Sequence, residues 1–170
     1  VRNVLFLCTG NSARSIMAEA LLNFRGQGRF RAFSAGSHPR GEVHPLAIET
    51  LDRHGIPIGQ VRSKSWEEFA KSDAPPLDFV FTVCDRAAAE VCPIWPGHPM
   101  TAHWGLRDPA AVAGTIDDQR RAFNRTFREL DARLQLLASL RIDQLDQLAL
   151  KRELDAIGEM EDGVDSKSQP

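Results

Sequence analysis

The sequence predicts an α/β fold: a flavodoxin-like doubly wound sheet of about four parallel strands with helices on both faces. Two observations carry this. Apolar runs of strand length alternate down the chain with segments of helical periodicity, and the elements are joined by short connections rich in Gly, Pro and Ser. Residues 4–7, Val-Leu-Phe-Leu, form a buried strand bounded by Cys, Thr and Gly. Residues 15–22 place apolar side chains on one face of a helix. Residues 29–33 alternate and break at Ser34-Ala35-Gly36, giving a second strand. Pro45 opens a helix over 45–51, with His44 or Val43 before it and Gly55 closing it.

Residues 56–64 read as loop. Ser65-Trp66-Glu67-Glu68 has the pattern of a capping box at the start of a short helix. Residues 77–83 form the third strand, followed by a cysteine-bearing segment (84–92), a Pro-rich turn (93–99) and a fourth strand (100–104). A long helix runs from about 117 to 140, with Phe123, Phe127, Leu130, Leu134 and Leu137 on its buried face. Residues 142–157 read as a further helix with Leu150, Leu154 and Ile157 on one stripe. The expected organisation is one domain over 1–140, an added helix over 141–158 packed back on it, and a disordered tail over 159–170.

Composition narrows the function. A chain of 170 residues with a net charge of −2 has no basic excess, which argues against a nucleic-acid partner. No apolar run approaches membrane-spanning length and no signal-peptide pattern opens the sequence, so the expected compartment is the cytoplasm and no membrane partner is expected. Three cysteines cannot all pair. In a reducing compartment, cysteines are more often catalytic or buried than bridged.

The chemistry centres on Cys8-Thr9-Gly10-Asn11-Ser12-Ala13-Arg14-Ser15, between the first strand and the first helix. A short loop feeding a helix N-terminus aims backbone N–H groups into one small volume. Gly10 allows close approach of an anion, and the fork of Arg14 matches two oxygens of a tetrahedral oxyanion. A cysteine under such a positive cradle is expected to have a lowered thiol pKa and to stand as the thiolate at neutral pH, a nucleophile aimed at the central atom of that oxyanion. Asn11 is expected to fix the loop through its side chain, Ser12 to shape it, and Ser15 to donate to the Cys8 thiolate. Cys84 ends the third strand and Asp108 follows the fourth. In an open parallel sheet, functional groups gather at these carboxyl ends. The five histidines show no metal-ligand spacing, and no metal or bound cofactor is expected.

This loop resembles the C-x5-R-S loop of the low-molecular-weight phosphotyrosine phosphatase family and of the arsenate reductases built on that fold. Thr9, Ser12, Ala13 and Ile16 resemble the reductase side, and the resemblance spans residues 2 to about 138. It implies the low-molecular-weight phosphatase fold and a binding loop of Thr9, Gly10, Asn11, Ser12, Ala13 and Arg14 for arsenate or phosphate. It also implies Cys8 as nucleophile and Asp108 as general acid. Ala110 stands where phosphatases commonly carry an aromatic residue.

In thioredoxin-coupled relatives, two further cysteines after the third strand pass a disulfide outward. Cys84 and Cys92, with Pro93-Ile94 following, resemble that segment. The resemblance implies an external thiol reductant: thioredoxin, or glutathione with glutaredoxin, Ala13 being shared with relatives that use small thiols. It leaves open which of Cys84 and Cys92 resolves the first adduct. A phosphatase acting through a phosphocysteine is the alternative. Some reductases of this kind bind potassium beside Asn11; here Ser34, Ser63 and Ser65 fall in that region, with serine in place of an acidic ligand.

Overall fold

A computed structural model describes residues 1–160. The expected tail lies almost wholly outside the described residues. In chain order the elements are β1 (Arg2–Leu7), α1 (Arg14–Arg25), β2 (Phe30–Ala35), α2 (Pro45–Arg53), a 3-10 helix (Trp66–Phe69), β3 (Phe79–Thr82), α3 (Asp85–Ala89), β4 (Met100–His103), a 3-10 turn (Pro109–Ala111), α4 (Ile116–Ser139), a 3-10 turn (Ile142–Gln144) and α5 (Gln147–Gly158). The four strands form one parallel sheet in the order β2-β1-β3-β4. The order reverses at β1, so the loops leaving β1 and β3 open on the same edge. That crevice is where an open α/β sheet binds its ligand.

The pleat divides the core. Val4, Phe6, Phe79 and Phe81 face a large cluster roofed by α1, α2, α4 and α5. Leu5, Leu7 and Val80 face a smaller one, closed by Phe69 and Trp95 with Phe33 and Trp66 packed against it. Between β3 and α5, Phe81 stacks on the fully buried Trp104 at 4.1 Å between ring centroids. Such a pair contributes about 1 kcal/mol beyond its area burial.

The elements depart from the sequence reading mostly at their ends. Strand β2 runs on through Ser34 and Ala35, because its pairing with β1 continues to Leu7. Strand β3 is shorter than 77–83: Leu77 and Asp78 hydrogen-bond to Pro96 and Asn3 outside the ladder. The cysteine-bearing segment holds a short helix, α3, that periodicity could not show in five residues. The Ser65 side chain caps the 3-10 helix by accepting from Glu67, but Glu68 pairs with Arg62 rather than turning back to complete a box. At the end of α2, Gly55 and Ile56 donate to the carbonyls of Asp52 and Leu51, closing the helix one residue beyond the His54 cap.

The C-terminal helix is two pieces. A 3-10 turn ends at Gln144, and Asp146 then caps α5 by accepting from Ala149. Helix α5 lies along β4, the edge strand. There Trp104 donates its indole N–H to the Leu154 carbonyl at 2.9 Å, and Lys151 reaches the Thr101 carbonyl. Gly158, the last residue of α5, sits so close to β4 that a Cβ would lie 2.4 Å from the His103 carbonyl oxygen. No helix among the described residues is long and apolar enough to cross a membrane.

Candidate active site

Strand β1 delivers Cys8 to the edge of the sheet, and the chain then turns through 9–13 into α1. Cys8 is buried. The turn needs Asn11 at φ 43°, a left-handed conformation that asparagine tolerates better than most residues. Its fully buried side chain locks the turn from inside. The amide Nδ2 donates to Ser15 Oγ at 2.8 Å, and Oδ1 accepts from the Lys64 backbone N–H at 2.8 Å. From outside, the N–H groups of His38, Arg40 and His44 donate to the carbonyls of Thr9, Gly10 and Ser12. Those carbonyls are thereby turned away from the cradle. Gly36 lets β2 pass beneath, since a Cβ there would lie 2.5 Å from the Thr9 carbonyl oxygen.

Cys8, Gly10, Ser12, Ala13, Arg14, Arg40, Asp108 and Ala110 line a cavity of about 30 Å³, on the scale of a single small ion. The Arg14 guanidinium donates to the Leu106 carbonyl at 2.9 Å and lies 3.8 Å from Asp108 Oδ2. The other Asp108 oxygen accepts from the Ala110 N–H at 3.0 Å, which also caps the turn that follows. Arginine and carboxyl thus hold each other over the cradle.

The second thiol stands beside the first. Cys84 is buried at the N-cap of α3, and its sulfur accepts from the Ala87 N–H at 3.3 Å and lies 3.6 Å from Thr9 Oγ1. Cys84 thus stands beside Thr9, the residue that follows Cys8, and each thiol borders a cavity that Gly10, Arg14 and Asp108 also line. Against the lowered value expected from the cradle, the neighbouring Cys84 and burial push the Cys8 thiol well above the ordinary thiol value, although Arg14 pulls against this. Cys84, with Cys8 as its neighbour and with hydrogen bonds to Ala87 and Thr9, is drawn down to about 5 despite its burial. Of the two, Cys84 is therefore the one held as thiolate at neutral pH. Iodoacetamide alkylation of Cys84 is expected to stay near its plateau from pH 8 to 6 and to fall through about pH 5. Cys92, pushed up by desolvation and by Glu90, reacts only toward alkaline pH. Parallel profiles for the three cysteines would contradict the lowered Cys84 thiol.

Cys92 is exposed beyond the far end of α3, its thiol directed at the Glu90 carbonyl at 3.9 Å. The structure thus brings Cys8, Arg14, Asp108 and Cys84 together and leaves Cys92 outside. The expected hydrogen bond from Ser15 to Cys8 is not among those of the described residues; Ser15 is an acceptor for Asn11 instead.

The serines expected near a potassium ion are separated. Ser65 caps the 3-10 helix, and Ser63 bonds Gly41 and Gly10. Only Ser34 reaches the buried centre behind Asn11, where Lys64 Nζ lies 3.5 Å from Ser34 Oγ and 3.7 Å from Glu19 Oε1, and donates to the Arg62 carbonyl at 2.8 Å. Burial raises the Glu19 carboxyl and lowers the Lys64 ammonium, with each charge opposing the other's shift. Sequence reasoning missed Lys64, which sits in a stretch read as plain loop. It also missed Arg40, which carries no motif signal and reaches the cradle only through the fold of the segment after β2.

One small cavity thus gathers a cysteine at the end of β1, an arginine at the start of α1 and a carboxyl from the loop after β4. The profile of the low molecular weight phosphotyrosine protein phosphatase family matches residues 3–153, reaching into α5. The chain belongs to that family. It is 36% identical over 135 residues to the arsenate reductase of Shouchella clausii (strain KSM-K16), covering 79% of this chain and 94% of that one. Among solved structures it resembles an arsenate reductase in the phosphate binding state, with a TM-score of 0.67 at 27% identity over 82% of this chain and 98% of that one. It also resembles the thioredoxin-dependent arsenate reductase of Corynebacterium glutamicum, with a TM-score of 0.56 at 31% identity over 81% and 63% of the two chains.

Proposed function

We propose that this protein reduces arsenate to arsenite. The observation that carries the reading is the placement of Cys84 at the Cys8 loop, 3.6 Å from Thr9 Oγ1: hydrolysis of a phosphocysteine needs only water, whereas reduction needs a second thiol near the first. In the proposed sequence the Cys8 sulfur, its proton passed to Cys84, attacks arsenic while Arg14 and the N–H groups of the loop hold the oxygens. Asp108 hands a proton to the oxygen that departs as water. A thiolate at Cys84 then attacks the Cys8 sulfur. The S–As bond breaks with its electron pair on arsenic, so As(V) leaves as As(III) and a Cys8–Cys84 disulfide remains.

Cys92 then attacks the Cys84 sulfur, freeing Cys8. A disulfide requires Cα atoms within about 7 Å, and α3 stands between these two cysteines, so this step unwinds α3 and frees the segment it occupies. A dithiol protein of the thioredoxin type reduces the resulting Cys84–Cys92 bond. The thioredoxin-dependent relative supports this last step, and the family supports a phosphatase side activity.

The test is a single turnover of fully reduced protein with excess arsenate and no added reductant, with arsenite, free thiols and disulfide-linked peptides counted. About one arsenite and two thiols lost per chain is the expected result. Arsenite formed only when a small thiol is supplied would keep the reductase and remove the relay. No arsenite under either condition, with aryl phosphate hydrolysis intact, would leave a phosphatase.

A further inference from the structure

The cradle opens into a cleft of about 590 Å³ lined by Thr9, Gly10, Leu106, Cys84 and a ring of charged side chains. Arg14, Arg40, Arg86 and Arg107 face it, with His38, against only Asp85 and Asp108. Both carboxylates are engaged: Asp108 with Arg14, and Asp85 with His103 Nε2 at 2.8 Å. Arg40, Arg86 and Arg107 are exposed, and among the described residues none has a carboxylate within ion-pair distance. They come from three separate segments: the loop after β2, helix α3 and the loop after β4. Three guanidinium groups without anionic partners converge on one cleft in a chain whose net charge is −2. No Phe, Trp or Tyr side chain lines it, so there is no wall on which an aryl ring could stack.

We propose that this cleft is a second anion subsite, accepting small ligands that place a tetrahedral oxyanion on the Cys8 loop and a second anionic group, carboxylate or phosphoryl, against Arg86 and Arg107. The inference rests on the oxyanion reading of the cradle and adds the class of ligand that fits best. Arg40 lines both the cradle and the cleft and lies against Gly10, its Nε 3.2 Å from where a Cβ on that glycine would be. It joins the two subsites. A guanidinium offers a carboxylate two parallel N–H donors in a geometry that matches its two oxygens.

The test is calorimetric binding of methylphosphonate, phosphonoacetate and 3-phosphonopropionate to the reduced full chain at fixed low ionic strength. At least one of the two carboxylated probes is expected to bind about tenfold more tightly than methylphosphonate, one good charge-assisted contact's worth. In an Arg86→Ala/Arg107→Ala variant that advantage should fall to about one, with methylphosphonate affinity kept within about twofold. Arg40→Ala should weaken all three probes. Equal binding of the three probes by the unaltered protein, or an advantage that survives the double substitution, overturns the subsite while leaving the oxyanion reading intact. Failure of every probe, inorganic phosphate included, overturns the cradle itself and the subsite with it.

Discussion

Cys84→Ser is expected to abolish arsenite formation in the absence of added thiol while leaving aryl phosphate hydrolysis within a few-fold of the unaltered protein. In the proposed mechanism the two activities share Cys8, Arg14 and Asp108 and part only after the covalent adduct has formed. Water resolves a phosphocysteine, whereas the arsenic adduct must give up its cysteine sulfur to a second thiolate. A serine hydroxyl at residue 84 can still accept from Ala87 and cap α3, but it cannot form a disulfide. The expected loss in single-turnover arsenite yield is about 10³-fold, on the scale of removing a nucleophile that acts in the rate-determining step. Loss of both activities together would instead assign Cys84 to the folding of the cradle. Unchanged arsenite yield would remove it from the mechanism.

The second large effect concerns stability. Replacing Lys64 by Met should destabilise the fold by about 3 kcal/mol near neutral pH, because Glu19 is left as an unpaired buried charge. The penalty depends on pH with a definite sign. The Glu19 carboxyl is already raised by burial in the presence of Lys64 and rises further without it. The penalty is therefore full above that raised value, shrinks as pH falls through it, and vanishes below the ordinary carboxylate range, where folded and unfolded chains are both protonated. Urea unfolding at pH 5 and pH 8 checks this, and adding Glu19→Gln should recover most of the loss. Equal destabilisation at both pH values would mean that lost packing, rather than charge, is responsible. Because the Lys64 backbone N–H holds Asn11, the same centre supports the cradle. With an ammonium already beside the hydrogen-bonded Ser34 and Glu19, activity is expected to be indifferent to replacing potassium by sodium.

The sequence by itself determined what is local. Cys8 and Arg14 fall on one short connection between a strand and a helix, so their convergence follows from a single turn of chain, and the unbroken apolar run over residues 4–7 marked β1 as a buried strand. Cys84 and Asp108 were legible one level up, because a parallel sheet brings the ends of its strands to one edge. The tertiary structure alone decided the rest. Whether Cys84 reaches the Cys8 loop depends on the register of β3 against β1 and on the helical turn that follows. Helix α3 is too short to leave a periodic trace, and its form comes from Cys84 and Ala87 packing into the core. Lys64 and Arg40 lie in irregular chain, where no periodicity tells a buried ammonium from a solvated one. Their positions are set by backbone hydrogen bonds from Lys64 to Asn11 and from Arg40 to Gly10, across 53 and 30 residues. Contacts of that kind depend on where the chain returns in space, which local pattern does not encode.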